Sequence, residues 1–294
     1  MKQSKNNPNN MNTNNNEKRF KAAVILFPGT NCENETKDVL IEAGLDAEIV
    51  RWNEDTKKLQ DYDAYVLPGG WSYEDRIRAG VIAAKGKIIN FLKQQDEEKK
   101  PILGICNGCQ ILVESGLVPE LNIEKTEMAL APNHNPKVSG FYCTWINLIK
   151  NGNCVFTKDL EDKEIIPMPI AHGEGRFTTE NEEVIDELLK NNQIIFAYCD
   201  NKGEIKDEFP INPNGSKLNI AAVSNKHGNV MAMMPHPERA SYKRQIKLKK
   251  TLSFQDAECH APAIKIFTSI LTHLKENCLL ANKKSETNIV KEDN

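Results

Sequence analysis

The amino-acid sequence predicts an α/β protein: an open, mostly parallel sheet flanked by helices, with extra β-rich segments in the second half. Three observations predict it. Short apolar runs stand at 22–27 (AAVILF), 64–67 (AYVL) and 102–105 (ILGI), and runs without polar alternation suit strands buried on both faces. Helical stretches lie between these runs, and strand–helix alternation builds a parallel sheet covered by helices. Further along, β-like runs follow one another more closely, at 141–148, 166–170, 194–198, 218–223 and 230–234.

The elements follow in order. After the first strand, Val39, Leu40 and Ala43 keep helical spacing, and Gly44 suits a C-cap. Residues 47–50 read as a second strand. The third, 64–67, stops at Pro68-Gly69-Gly70. A long helix is expected over about 75–95. The strand 102–105 ends at Cys106, and 110–114 (QILVE) reads as the helix behind it. A closing amphipathic helix is expected over 262–274, with Ile264, Phe267, Ile270, Leu271 and Leu274 on one face. Pro262 fits its first turn, where no N–H is needed.

Hydrophobic residues make up 39% of the 294 and charged residues 27%, the balance of a globular enzyme. A formal charge of −3 gives no electrostatic reason to expect nucleic acid or a membrane surface as partner. No apolar run reaches the length of about 18 residues that a membrane helix needs. The N-terminus lacks the apolar core of a signal peptide. The eight cysteines are therefore expected as reduced thiols of a cytoplasmic chain. Residues 1–19 are polar and include eight Asn; they carry too little apolar surface to offset ordering entropy, and a disordered tail is expected. One domain is expected over 20–281, followed by a flexible tail over 282–294.

Gly104-Ile105-Cys106-Asn107-Gly108 has the form G-x-C-x-G, the thiol counterpart of the nucleophile elbow G-x-S-x-G. A strand enters a helix there through a strained turn, glycines leave room for close packing, and the helix N-terminus favours a thiolate. By itself the pattern is equally consistent with a small inert core cysteine. Cys109 completes a C-x-x-C, but no second ligand pair accompanies it, so a zinc site is not expected. A redox pair would leave the two glycines unexplained. A thiol nucleophile needs a base, and the base needs an orienting carboxylate. In Pro235-His236-Pro237-Glu238 both stand two residues apart, which in an extended segment puts them on one side. The N–H groups of Gly70 and Asn107 are candidates for an oxyanion hole.

Taken together and in this order, Pro-Gly-Gly, Gly-Ile-Cys-Asn-Gly-Cys-Gln and Pro-His-Pro-Glu resemble the class I (triad) glutamine amidotransferases, whose sheet is flavodoxin-like. The resemblance implies a catalytic triad of Cys106, His236 and Glu238, an oxyanion hole at Gly70 and Asn107, and a substrate contact at Gln110. Further blocks are Phe27-Pro28-Gly29-Thr30-Asn31-Cys32-Glu33, Pro68-Gly69-Gly70-Trp71-Ser72-Tyr73-Glu74-Asp75 with Arg78-Ala79-Gly80, Ala171-His172-Gly173-Glu174-Gly175-Arg176-Phe177 and Asn212-Pro213-Asn214-Gly215-Ser216. These resemble one subfamily, the glutaminase subunits of phosphoribosylformylglycinamidine synthase. That resemblance implies hydrolysis of L-glutamine and delivery of ammonia to a separate synthetase subunit that holds ATP and Mg, with a small assembly subunit. It implies no cofactor and no metal in this chain. His172, Glu174 and Arg176 would serve the partner contact or the ammonia path, on a mobile exposed loop.

Two departures stand out. Thr144 occupies a position before Trp145 where the subfamily usually has a basic residue, and 240–260 reads as an inserted solvated loop with no function assigned. Competing readings are a glutaminase feeding another synthetase (for CTP, GMP or histidine), a non-catalytic module with the same fold, and a cysteine hydrolase that needs no partner.

Overall fold

The computed structural model describes residues 18–122, 125–138, 140–246 and 253–292. Nearly all of the stretch expected to be a disordered tail, 1–19, lies outside them.

The first half alternates as the apolar runs require: β1 (Lys21–Leu26), α1 (Glu33–Glu42), β2 (Asp46–Arg51), α2 (Thr56–Leu59), β3 (Ala64–Leu67), α3 (Lys87–Glu97), β4 (Ile102–Ile105) and α4 (Asn107–Glu114). The second half supplies β5 (Ala129–Ala131), β6 (Tyr142–Lys150), β7 (Ile165–His172), β8 (Arg176–Thr178), α5 (Glu182–Lys190), β9 (Ile194–Cys199), β10 (Ile220–Ser224) and β11 (Val230–Met233). The chain closes with α6 (Phe254–Ala257) and α7 (Lys265–Glu292).

Among the described residues, nine strands form one sheet in the order β2-β1-β3-β4-β11-β10-β9-β6-β7. β2, β1, β3, β4 and β11 run parallel. From β11 outward each pairing is antiparallel. The extra β segments therefore extend the same sheet. β3, β4, β9, β10 and β11 are buried at every position, which is why they read as unbroken apolar runs. β7 alternates half-buried and buried residues and reads with period two.

Three expectations are corrected. The helix placed at about 75–95 begins only at Lys87. Before it, Tyr73, Glu74, Asp75 and Ile77 have positive φ, and the loop is drawn toward α4: Asn107 Nδ2 donates to Asp75 Oδ1 at 3.2 Å. These tertiary bonds override helical spacing. The strand expected from 218 begins at Ile220, because Leu218 and Asn219 form a left-handed turn. The closing helix does not stop at 274; its backbone is helical to Glu292, over most of the stretch expected to be a flexible tail. The inserted 240–260 segment closes on itself through a Tyr242–His260 bridge; residues 247–252 of it lie outside the described residues.

Candidate active site

The elbow is built by close packing. Cys106 caps α4 with φ 50° and ψ −103°, a strained conformation for a non-glycine residue. Behind it α4 lies so near the sheet that a Cβ on Gly108 would sit 1.9 Å from the Leu67 carbonyl oxygen of β3. On the strand side, a Cβ on Gly104 would meet the Gly108 oxygen at 2.5 Å. All eight residues of α4 are buried.

Register joins the distant halves of the site. β4 and β11 are parallel neighbours with Ile105 opposite Met233, and the Cys106 N–H donates to the Met233 carbonyl at 2.8 Å. Cys106 and His236 therefore leave the carboxyl ends of adjacent strands, where open α/β sheets place their ligands. The His236 N–H donates to Pro169 O of β7 at 2.9 Å, fixing the turn from the other side.

His236 Nδ1 lies 2.6 Å from Glu238 Oε1, and both side chains are buried. That bond makes Nδ1 the protonated nitrogen of the neutral ring and frees Nε2 as a base. Nε2 is buried and has no hydrogen-bond partner among the described residues. Burial opposes the imidazolium of His236, but the Glu238 carboxylate and the Cys106 and Cys32 thiols outweigh it and hold its pKa well above the ordinary histidine value.

A cavity of about 230 Å³ opens over these groups. Cys106, His236, Gly70, Gln110, His172 and Glu174 all line it. Gly70 has φ 149°, and a Cβ there would meet Gly29 O at 2.6 Å, so the turn after β3 interlocks with the turn after β1. Asn107 ties this turn to the elbow: its Oδ1 accepts from the Ser72 N–H at 2.9 Å and its Nδ2 donates to Gln110 Oε1 at 2.9 Å. Gln110 Nε2 in turn donates to Glu174 O at 2.7 Å. The Gln110 amide is thus engaged at both ends in holding the loops around the cavity.

The loop after β7 is not the mobile exposed segment expected. His172 is buried, and Glu174 Oε2 accepts from the Ala79 N–H at 3.2 Å. The Asn212–Ser216 block buttresses it: Asn214 Nδ2 donates to Gly175 O at 2.8 Å, and the Phe177 N–H donates to Ser216 Oγ at 3.1 Å. Two blocks far apart in sequence thus form one packed unit. Asn133 Nδ2 donates to His172 O at 2.7 Å, which leaves Asn133 Oδ1 facing His172 Nδ1 at 3.0 Å. His172 is therefore protonated on Nδ1, and its buried Nε2 is an acceptor with no hydrogen-bond partner among the described residues. Burial and the neighbouring His236 push its pKa down to about 3. Arg176 stands apart: its Nε donates to Pro132 O at 3.1 Å beside the β5–β8 pair, and it does not line the cavity.

Two groups carried no assigned role in the sequence reading. Asp75 lines the cavity, and burial together with the Glu174 carboxylate pushes its pKa up to about 6. Cys32 also lines it, with Sγ 3.2 Å from Arg239 Nη2. Neither belongs to a local chemical pattern, so the sequence held no signal for them beyond their place in family-like blocks. Cys109 is fully buried in the core, and burial with the charge of Cys106 pushes its thiol pKa well up.

Residues 19–273 match the model of the CobB/CobQ-like glutamine amidotransferase domain. The phosphoribosylformylglycinamidine synthase subunit PurQ of Methanothrix thermoacetophila is 44% identical over 265 residues, covering 87% of this chain and 99% of that protein. The PurQ of Pyrococcus horikoshii is 43% identical with the same coverage. Among solved structures, a chain of PurLQS from Thermotoga maritima superposes with a TM-score of 0.66 at 33% identity, covering 87% of this chain and 100% of that one. A GMP synthase component from Thermoplasma acidophilum shares the fold, with a TM-score of 0.53 at 16% identity, covering 90% of this chain and 99% of that one. The chain belongs to the family of CobB/CobQ-like glutamine amidotransferase domains, and within it to the phosphoribosylformylglycinamidine synthase PurQ subunits.

Proposed function

We propose that this chain is the glutaminase subunit of phosphoribosylformylglycinamidine synthase, acting in the cytoplasm and in complex with a separate synthetase and a small assembly subunit. It hydrolyses L-glutamine to glutamate and ammonia. ATP and Mg belong to the synthetase, which uses the ammonia to make formylglycinamidine ribonucleotide. The observation that carries this reading is the β4–β11 register, with Cys106 and His236 at neighbouring strand ends and Glu238 2.6 Å from the far ring nitrogen. Relatives named for this subunit, matched over almost their whole length, support the assignment to purine synthesis.

In the mechanism we infer, His236 Nε2 takes the Cys106 proton, and the thiolate attacks the carboxamide carbon of glutamine. The oxyanion that forms accepts from the backbone N–H groups of Gly70 and Asn107. Asn107 is the first residue of α4, so its N–H has no partner within the helix. The imidazolium then protonates the departing nitrogen, and ammonia leaves a thioester. Water, activated by His236, releases glutamate. Glu238 orients the ring and stabilises the imidazolium throughout. Asp75 and Glu174 offer negative charge to the substrate ammonium. Gln110 positions the Glu174 loop around the substrate. His172, neutral and with Nε2 bare, offers ammonia an acceptor without protonating it. Arg176 is assigned to the partner-facing side.

Ammonia release from glutamine, measured with and without the purine synthetase, tests the reading. Wild type is expected to turn over slowly alone and much faster in the complex, and Cys106→Ala not at all. Undiminished turnover in Cys106→Ala sinks the triad. Stimulation by a GMP or CTP synthetase in place of the purine enzyme sinks the pathway.

A further inference from the structure

A second thiol stands beside the imidazole of His236. Cys32 follows the turn after β1, where its N–H donates to Gly69 O at 3.2 Å. Its Sγ, a ring nitrogen of His236 and a carboxylate oxygen of Glu238 all lie within 4.8 Å of one another. Gly69 gauges how near Cys32 and Cys106 come. A Cβ on that glycine would sit 3.3 Å from Cys32 Sγ, 3.4 Å from Cys106 Cβ and 2.8 Å from His236 Cε1. Both cysteines line the same cavity. The glutaminase mechanism uses Cys106 and no other thiol.

We propose that Cys32 is the resolving partner of Cys106: a peroxide entering the glutamine cavity oxidises Cys106, and Cys32 captures it as a reversible Cys32–Cys106 disulfide that switches the glutaminase off. The inference rests on Cys106 being the reactive thiol of the proposed function. Reactive cysteines that serve as redox sensors work with a neighbouring resolving cysteine. Two cysteines could fill that place, and the structure separates them. Cys109 is on the first turn of the same helix, but it is fully buried in the core, and burial keeps it a thiol. Attack on a sulfenic acid needs a thiolate. Cys32 instead lines the cavity, with its sulfur beside the His236 ring, a base that can take its proton. The cavity that admits glutamine also admits the smaller hydrogen peroxide.

The chemistry balances. The Cys106 thiolate attacks one peroxide oxygen, the O–O bond breaks, and hydroxide leaves, taking the proton held by His236. Cys106 is now a sulfenic acid. Cys32 gives its proton to the now neutral His236 and its sulfur attacks the Cys106 sulfur; the S–O bond breaks, and the leaving hydroxide takes that proton from His236 to become water. Two thiols are oxidised to one disulfide while one hydrogen peroxide is reduced to two waters. A dithiol reductant reverses the result.

The full chain is treated with hydrogen peroxide, its free thiols are alkylated, and its peptides are mapped by mass spectrometry without reduction. A peptide pair joined through Cys32 and Cys106 is expected, with glutaminase activity lost in step and restored by dithiothreitol. Cys109→Ser is expected to form the same pair. In Cys32→Ser, Cys106 is expected to run on to sulfinic acid, which dithiothreitol does not reverse. A Cys106–Cys109 disulfide in the wild type overturns the proposal. So does sulfinic acid at Cys106 in wild type to the same extent as in Cys32→Ser. Labelling of untreated protein by an electrophilic glutamine analogue separates the two readings. Label on Cys106 without a disulfide after peroxide overturns only this inference, whereas label on another cysteine overturns the proposed nucleophile.

Discussion

At the residue scale, the site is a set of charges arranged around one imidazole. Glu238 is fully buried with its Oε1 on His236 Nδ1, so the proton on Nδ1 and the charge that develops on the ring both depend on it. Glu238→Gln keeps the shape but loses the charge and can present an N–H where an acceptor is needed. Glutamine turnover is expected to fall by roughly 10² to 10⁴-fold, the range typical for losing acid–base function, with the far-UV spectrum unchanged. Retained turnover would mean that another group orients His236. Asp75 gives a second prediction. Its pKa of about 6 makes it an anion above that pH and neutral below it. If its charge meets the substrate ammonium, affinity is present above about pH 6 and lost as pH falls through it. KM for glutamine should therefore rise on acidification in the wild type. Asp75→Asn should show a KM raised about tenfold, the worth of some 1.4 kcal/mol, and flat across this window, with kcat little changed. A wild-type pH profile of KM retained in Asp75→Asn would assign the titration to another group.

At the element scale, the elbow depends on how closely α4 lies against the sheet. A methyl on Gly108 overlaps the backbone of β3, which cannot move without breaking its pairings with β1 and β4. Gly108→Ala is expected to cost on the order of 3 kcal/mol, the upper range for overpacking a dense core, and to lower the thermal midpoint accordingly. An unchanged midpoint would mean that the helix can lift off. This element was legible in the sequence because glycine spacing and an apolar run are local signals. The loop 76–86 was not. Helical spacing was present there, but bonds from Asn107 to Asp75 and from Ala79 to Glu174 pull the backbone away from a helix. α4 itself is buried at every position, so no face is left to solvent, and its position after the elbow identified it.

At the scale of the whole molecule, the mouth of the cavity carries an exposed aromatic pair. Trp71 and Phe141 both line the cavity and stack with ring centroids 6.2 Å apart, while about half of each side chain stays exposed. A synthetase docked over this pair would cover both rings. Its addition is expected to shift tryptophan emission to the blue, and Trp71→Phe should remove most of the shift. A shift of full size in Trp71→Phe would place the partner elsewhere, for instance over the half-exposed Trp145.

By itself the sequence determined the α/β class, singled out Cys106 as the candidate nucleophile and set His236 two residues from Glu238. The class is written in the period of apolar residues along the chain, and the two site motifs in a few adjacent residues whose geometry follows from short-range sterics. Only the tertiary structure decided that β11 lies beside β4, so that Cys106 and His236 follow the carboxyl ends of adjacent strands. It alone drew the loop after β7 into the cavity wall and set Cys32 next to the imidazole. These are matters of strand order and register, which depend on how segments far apart in the chain bury their apolar faces together, and no local pattern encodes them.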